Sequence, residues 1–360
     1  PRTLDRDERN KLSSRANALA NLQATHPGAP PRAMAVADAP NPVEPRVYLR
    51  GNPGRPGNVV PRRFLKLLSG PERKPFTDGS GRRELAEAIT RPDNPLTARV
   101  MVNRVWLQHF GSGLVTSPSD FGTRSDPPSH PELLDWLADD LVAGGWSIKR
   151  LHRRIVLSSA YRQESLARPE GLAKDPENRA LWRMNRRRLD FESMRDSLLA
   201  VSGGLDARMG GRGVALFEAP HSPRRTVYGF IDRQNLDGVY RTFDFASPDA
   251  SSPRRFSTTV PQQSLFLMNS PFVIGRAKAV AARLEAEGSG DAERLAALYR
   301  LVLNRPPDDR ETTLGLAFVT RWRESVTSRA KEAGATTPAL SSWEAYAQAL
   351  LLTNDFQFVD

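Results

Sequence analysis

GRRELAEAITRPDNPLTARVMVNRVWLQHFG, residues 81–111, carries the signals that decide the fold. Its apolar residues recur at helical spacing, and its prolines and glycines fall where helices stop and start. Glu84-Leu85-Ala86-Glu87-Ala88-Ile89 reads as one helix that ends before Pro92. Asn94-Pro95 opens the next, with Asn94 as N-cap and Pro95 at the first helical position. This second helix carries Leu96, Val100, Val105 and Leu107 and stops at Gly111.

Working toward the C-terminus, the loop GSGLVTSPSDFGTRSDPPS (111–129) leads into HPELLDWLADDLVAGG (130–145), with Ser129 as N-cap and Gly144-Gly145 as stop. Ser147 caps IKRLHRRIVLSSAYRQ, whose Leu151, Ile155 and Val156 face inward and whose Lys149, Arg150, Arg153 and Arg154 face outward. NRALWRMNRRRLDFESMRDSLLAVSG (178–203) reads as a long Arg-rich helical region. Residues 203–260 change character, with four clustered glycines (204, 210, 211, 213), the β-type run RRTVYGFID and the turn-rich FDFASPDASSPRRF. Helical patterning returns over 261–360, in QQSLFLMNSPFVIGRAKAVAARLEA, DAERLAALYRLVLNR, ETTLGLAFVTRWRESV and SSWEAYAQALLLTNDFQF. Toward the N-terminus, 1–26 is helix-forming, with Leu12, Leu19 and Leu22 among charges, and 27–45 is a Pro/Ala-rich linker. RVYLRG (46–51) is a short β-type run. The fold class is therefore mainly α, a helical domain with short β-strand and irregular insertions: a main module over 46–360, its helical core at 81–200.

Composition narrows the chemistry. The 360 residues contain no Cys, which removes disulfides, thiolate metal sites, a cysteine nucleophile and covalent haem attachment within this stretch. HExxH, GxGxxG, GxSxG and GxxxxGK[ST] are absent, so no zincin, dinucleotide, hydrolase-elbow or P-loop signature exists. No apolar run is long enough to span a membrane. The net charge of +11 points to acidic partners, although Arg is dispersed along the chain rather than gathered in a tail.

Three groups of residues are candidates for function. The most polar ordered segment, 232–262, offers Asp232, Asp244 and Asp249 as acid–base carboxylates, and Arg233, Asn235, Arg254, Arg255, Thr258 and Gln262 as ligand-binding groups. The alternative for this segment is a self-satisfied loop of Asx turns and Arg–Asp pairs. The second group, Asn103, Arg104, Trp106, His109, Asp120, His130 and Trp136, reads as a structural motif: Asn103, Arg104 and His109 pin the following loop, with His109 bonding a backbone carbonyl near its helix end. The third is a stripe, Arg179, Arg183, Arg186 and Arg187, which on a helix would form a nucleic-acid face. No His or carboxylate spacing marks a metal site, and His26, His130, His152 and His221 stand apart in sequence.

NPLTARVMVNRVWLQHFGSGLVTSPSDFG, PPSHPELLDWLADDLVAGGWSIKRLHRRIVLSSAYRQES and DPENRALWRMNRRRLDFESMRDSLLAVSG together resemble the planctomycete-type domain of unknown function numbered fifteen-fifty-three. The resemblance continues through RRTVYGFIDRQN, FDFASPDASSPRRFSTTVPQQSLFLMNSPFV and LLLTNDFQFVD, and so covers about residues 45–360. It implies a C-terminal module of a multidomain protein, with 1–26 the remnant of an upstream region that carries haem c in some members. It further implies an extracytoplasmic location, upstream domains of the same chain as partners, and a link to polysaccharide use or electron transfer. It offers no established reaction or catalytic residue. Together with the charge it ranks an accessory module that binds acidic polysaccharide first, a carbohydrate-active enzyme using the 232–262 loop second, and nucleic-acid binding third.

Overall fold

A computed structural model describes residues 5–26, 28, 29, 35–285, 290–333 and 340–359, the side chains of 329–333 excepted. Parts of the expected N-terminal remnant and linker, and Asp360, lie outside the described residues. The chain divides into two compact units, residues 1–94 and 95–360.

In the first unit, helix α1 (Arg6–Thr25) starts on a capping box in which Asp5 and Glu8 satisfy each other's backbone N–H groups, and it buries none of its residues. Strands β1 (Arg46–Tyr48) and β2 (Pro56–Val59) form an antiparallel hairpin. Helix α2 (Arg82–Thr90) begins at Gly81, whose positive φ of 76° lets the chain turn against the Phe76 ring. Asn94 also closes the preceding helix: its amide Nδ2 donates to the Ala88 and Ile89 carbonyls at the end of α2.

The second unit holds two apolar cores. The first is built by α3 (Thr97–Phe110), α4 (Pro131–Ala143) and α5 (Ile148–Val156). Helix α3 starts two residues later than the proline pattern predicts, with Leu96 before it. Its inward face is Ala98, Val102, Val105, Trp106, Leu107 and Phe110, while Leu96 is exposed and Val100 only partly buried. Leu134, Leu137, Leu141, Leu151 and Ile155 fill the space opposite. Each such fully buried side chain contributes about 1.5–3 kcal/mol relative to exposure. Ser147 caps α5 as expected by accepting from Arg150 N at 3.3 Å, whereas α4 is entered through His130 and Pro131 with no side-chain cap from Ser129.

The Arg-rich stretch 178–190 is not a helix. Asp175, after the short α6 (Pro169–Lys174), accepts from the N–H groups of Arg179 and Ala180, and Asn178 and Leu181 both take left-handed φ values of 54°. Arg183 instead stacks on Trp182, and Arg187–Arg188 form strand β3. Arg179, Arg183, Arg186 and Arg187 therefore lie on no common helical face, which removes the basis of the nucleic-acid reading.

Helix α7 (Phe191–Val201) opens on Asp190 as N-cap and leads the second core. RRTVYGFID forms no strand. It contains a 3-10 turn at Thr226–Tyr228, and its backbone pairs with neighbouring segments through isolated bridges, Asp206 with Arg224 and Val214 with Gly229. After α8 (Gly238–Thr242), the predicted single helix from 262 breaks at Ser270-Pro271 into α9 (Pro261–Asn269) and α10 (Pro271–Glu285). Helices α11 (Asp291–Leu303), α12 (Asp309–Ala333), α13 (Ser342–Leu351) and α14 (Asn354–Gln357) follow. Their core includes Leu198, Leu199, Val273, Ala277, Val280, Leu295, Leu298 and Leu351, each at most 1% exposed. Strand β4 (Phe358–Val359) returns to pair antiparallel with β3. The mainly α class with short strands is confirmed. Among the described residues no helix is long and apolar enough to cross a membrane.

Candidate functional site: a basic cleft

Helices α3 and α5 meet the 246–255 loop in a cleft of about 460 Å³ lined by Arg104, Val105, Leu107, Gln108, His152, Ala246, Ser252, Pro253, Arg254 and Arg255. The wall has four basic or titratable side chains and no carboxylate. Helical spacing explains one side: Arg104 and Gln108, four residues apart, present to the cleft while Trp106 and Phe110, stacked with ring centres 4.2 Å apart, turn into the core. Arg104 and the Arg254 guanidinium make no hydrogen bond or ion pair among the described residues. Several other arginines of this unit are paired with carboxylates, as in Arg99–Asp135, Arg150–Asp140, Arg305–Glu311 and Arg323–Asp291.

Beneath the cleft, His109 Nε2 lies 2.7 Å from His152 Nδ1, and the Tyr161 ring meets His109 edge-on at 5.4 Å. The expected bond from His109 to a backbone carbonyl is replaced by this pair, 43 residues apart in sequence. Burial, with His152 and Arg187 nearby, holds His109 below the ordinary histidine range.

Asn103 is fully buried and reads the Val115 backbone like a strand partner, accepting from its N–H at 2.9 Å and donating to its C=O at 3.0 Å. Gly113 passes so close that a Cβ there would stand 2.8 Å from the Asn103 amide and 2.5 Å from the Val115 oxygen. Asp120 forms an Asx turn with Gly122 N–H, His130 Nδ1 lies 3.0 Å from Ser129 Oγ, and the half-exposed Trp136 ring carries the Arg154 guanidinium at 5.5 Å.

The polar loop supplies the other wall through a few of its members only. Asp244, in left-handed backbone with φ of 58°, accepts from both the N–H and the hydroxyl of Thr258. Asp232 accepts from Gln234 N–H, and Asp249 pairs with Arg233 at 2.9 Å on the surface. No bond joins the three carboxylates, and none of them lines the cleft. Asn235 and Gln262 are exposed, and their side chains make no hydrogen bond among the described residues. Arg255 donates two bonds, at 2.7 and 2.8 Å, to Glu192 and lies over the Phe245 ring, and the Glu192 bonds raise its already high pKa.

Two anchors of this loop are not among the sequence candidates. Gln263, next to the predicted Gln262, is 2% exposed and donates to the Thr242 carbonyl. Arg188 donates to the Thr258 carbonyl, Gln263 Oε1 and Gln357 Oε1, at 2.9, 2.5 and 3.0 Å. The alternation of Gln262 and Gln263 at a helix start holds a signal, since Gln263 begins the inward series continued by Leu267. Nothing local marks Arg188 among its neighbouring arginines. Among the described residues no group of three or more His, Asp or Glu is placed to hold a metal ion.

No curated protein and no solved structure matches the chain. A family model does match residues 81–319, a span that takes in α3, the His pair and the whole polar loop. With about two thirds of its length matched, the chain belongs to the PSD1 family, proteins of unknown function (DUF1553).

Proposed function

We propose that this chain is an accessory binding module whose cleft takes an acidic polysaccharide, within an extracytoplasmic multidomain protein of planctomycete type whose upstream region carries haem. The cleft carries the reading: Arg104 on the α3 side and Arg254 on the loop side line it without a partner and without a carboxylate among the lining residues. An unpaired guanidinium is a strong, directional receptor for sulfate or carboxylate, and two lining one cleft with an imidazole form an anion site. The net charge of +11 adds attraction for a polyanion at longer range. The cellular setting rests on the sequence resemblance alone.

The test is retention of the protein on immobilised heparin. Binding at low salt should be lost by about 1 M salt, where the Debye length is about 3 Å. The Arg104→Ala/Arg254→Ala double variant should elute at clearly lower salt than Arg233→Ala, which removes a surface charge outside the cleft. Equal elution of the two would sink the assignment of the cleft.

A further inference from the structure

We infer that the cleft recognises a tetrahedral oxyanion ester on a glycan, sulfate or phosphate rather than carboxylate, and completes its binding set by taking one proton onto the His109–His152 pair. The inference rests on the reading of the cleft given above and names its ligand group.

The donors come from three separate elements. Arg104 and Gln108 lie on α3, His152 on α5 and Arg254 on the loop. A planar carboxylate is satisfied by one guanidinium fork, leaving the other donors without acceptors. A tetrahedral group with three terminal oxygens can accept from all three walls.

The pair supplies the remaining charge. His152 Nδ1 is committed to His109 Nε2 at 2.7 Å, so its Nε2 is the nitrogen left for the cleft, and no described residue bonds it. In the neutral pair one N–H already bridges the rings; one added proton makes a single imidazolium, and a second added proton would set two imidazolium ions against each other at that distance. His109 is the ring disfavoured as the cation, because burial, His152 and Arg187 all oppose its charge. It stays neutral and accepts from His152, which then presents a charged N–H to the ligand. The other groups facing the pair are Arg104 and Arg187, Arg254 and Arg255 on the loop wall, Glu192 already bound by Arg255, and the Tyr161 ring. A bound anion stabilises the charge that the proton brings to the pair. Anion binding and proton uptake are thereby linked, with affinity flat at high pH and rising as pH falls through the histidine range.

Calorimetric titration of the whole chain tests this, using a sulfated heparin tetrasaccharide, a phosphorylated mannan oligosaccharide and an oligogalacturonate of matched charge. Each is run from about pH 8 to about pH 5.5, in buffers of different ionisation enthalpy. The expected result is uptake of about one proton and about tenfold tighter binding at the acid end for a sulfated or phosphorylated ligand, with the oligogalacturonate about tenfold weaker. The first two probes tell the sources of the oxyanion apart. His152→Gln should abolish the pH response. His109→Gln, which keeps an acceptor oxygen for His152, should retain it, and His109→Leu should lose it. Oligogalacturonate bound equally well, or a pH response that survives in His152→Gln, overturns this inference and leaves the acidic-glycan cleft standing. No binding of any probe at low salt overturns both.

Discussion

Replacing Asn103 by Ala removes both partners of the Val115 backbone, and the loss can be worked out from the geometry. Val115 is 3% exposed, and its N–H and C=O are held by the Asn103 amide at 2.9 and 3.0 Å. A buried backbone group left unpaired costs about 1–3 kcal/mol, so two such groups together cost about 2–6 kcal/mol. In a unit of this size that lowers the midpoint of thermal unfolding by about 5–15 °C. Tryptophan fluorescence is a clean reporter, because all six tryptophans, from Trp106 to Trp343, lie in the 95–360 unit. Asn103→Asp sharpens the test. The introduced carboxyl can accept from the Val115 N–H, yet it must keep its proton to donate to the Val115 oxygen. Its folded-state pKa is then raised above its unfolded one, so its stabilising contribution is present at low pH and lost as pH rises through the folded value. The Asp variant should lie closest to wild type at the acid end and farthest from it near neutrality. A loss below about 1 kcal/mol for Asn103→Ala, or a pH-independent offset for Asn103→Asp, would refute the reasoning.

Two further outcomes follow from particular side chains. Arg208 grips Asp206 through its guanidinium and its backbone N–H, lowering the Asp206 pKa from 3.8 to about 2. The stability this adds is complete above the ordinary aspartate value and lost as pH falls toward 2. Urea unfolding of Asp206→Asn should therefore show a deficit at neutral pH that shrinks toward zero in acid, and a constant deficit would contradict the assignment. Arg195 is 2% exposed and donates to the Ser222 and Arg224 carbonyls and the Thr226 hydroxyl. Arg195→Lys, which keeps the charge but loses the planar fork, should cost about 2–4 kcal/mol in the same assay, and a neutral result would show that the fork is dispensable.

The helices from 97 to 156 and from 261 to 351 were legible because burial follows a 3.6-residue period there and the stops are glycine or proline. Residues 178–190 were not. Their composition favours helix, but one carboxylate, Asp175, captures two N–H groups that a helix would need, and a side chain three residues back decides the path. The same limit hid the cleft. Arg104 and Arg254 were both singled out, one as part of a structural motif and one as a ligand group, and only the fold puts them in the same cleft. His109 and His152 were each read alone because their contact spans 43 residues. The alternative reading of this loop as Asx turns and Arg–Asp pairs matches two of the three carboxylates, Asp232 in a turn with Gln234 and Asp249 paired with Arg233, while Asp244 accepts from the distant Thr258.

The three-way bond set of Arg188 also orders events in time. Its partner Gln357 is 169 residues away, and β3 and β4 pair beside it, so this joint closes one of the longest loops in the unit. The core of α3, α4 and α5 needs only contacts made within residues 98–184 and can condense while the rest of the chain is still being synthesised. The wall formed by residues 246–255 hangs from Arg188 through Thr258 and Gln263, and its anchorage is complete only when residue 357 arrives. The α3–α5 side of the cleft thus rests on contacts within one local stretch, while its loop side is tied through this guanidinium to the far end of the chain.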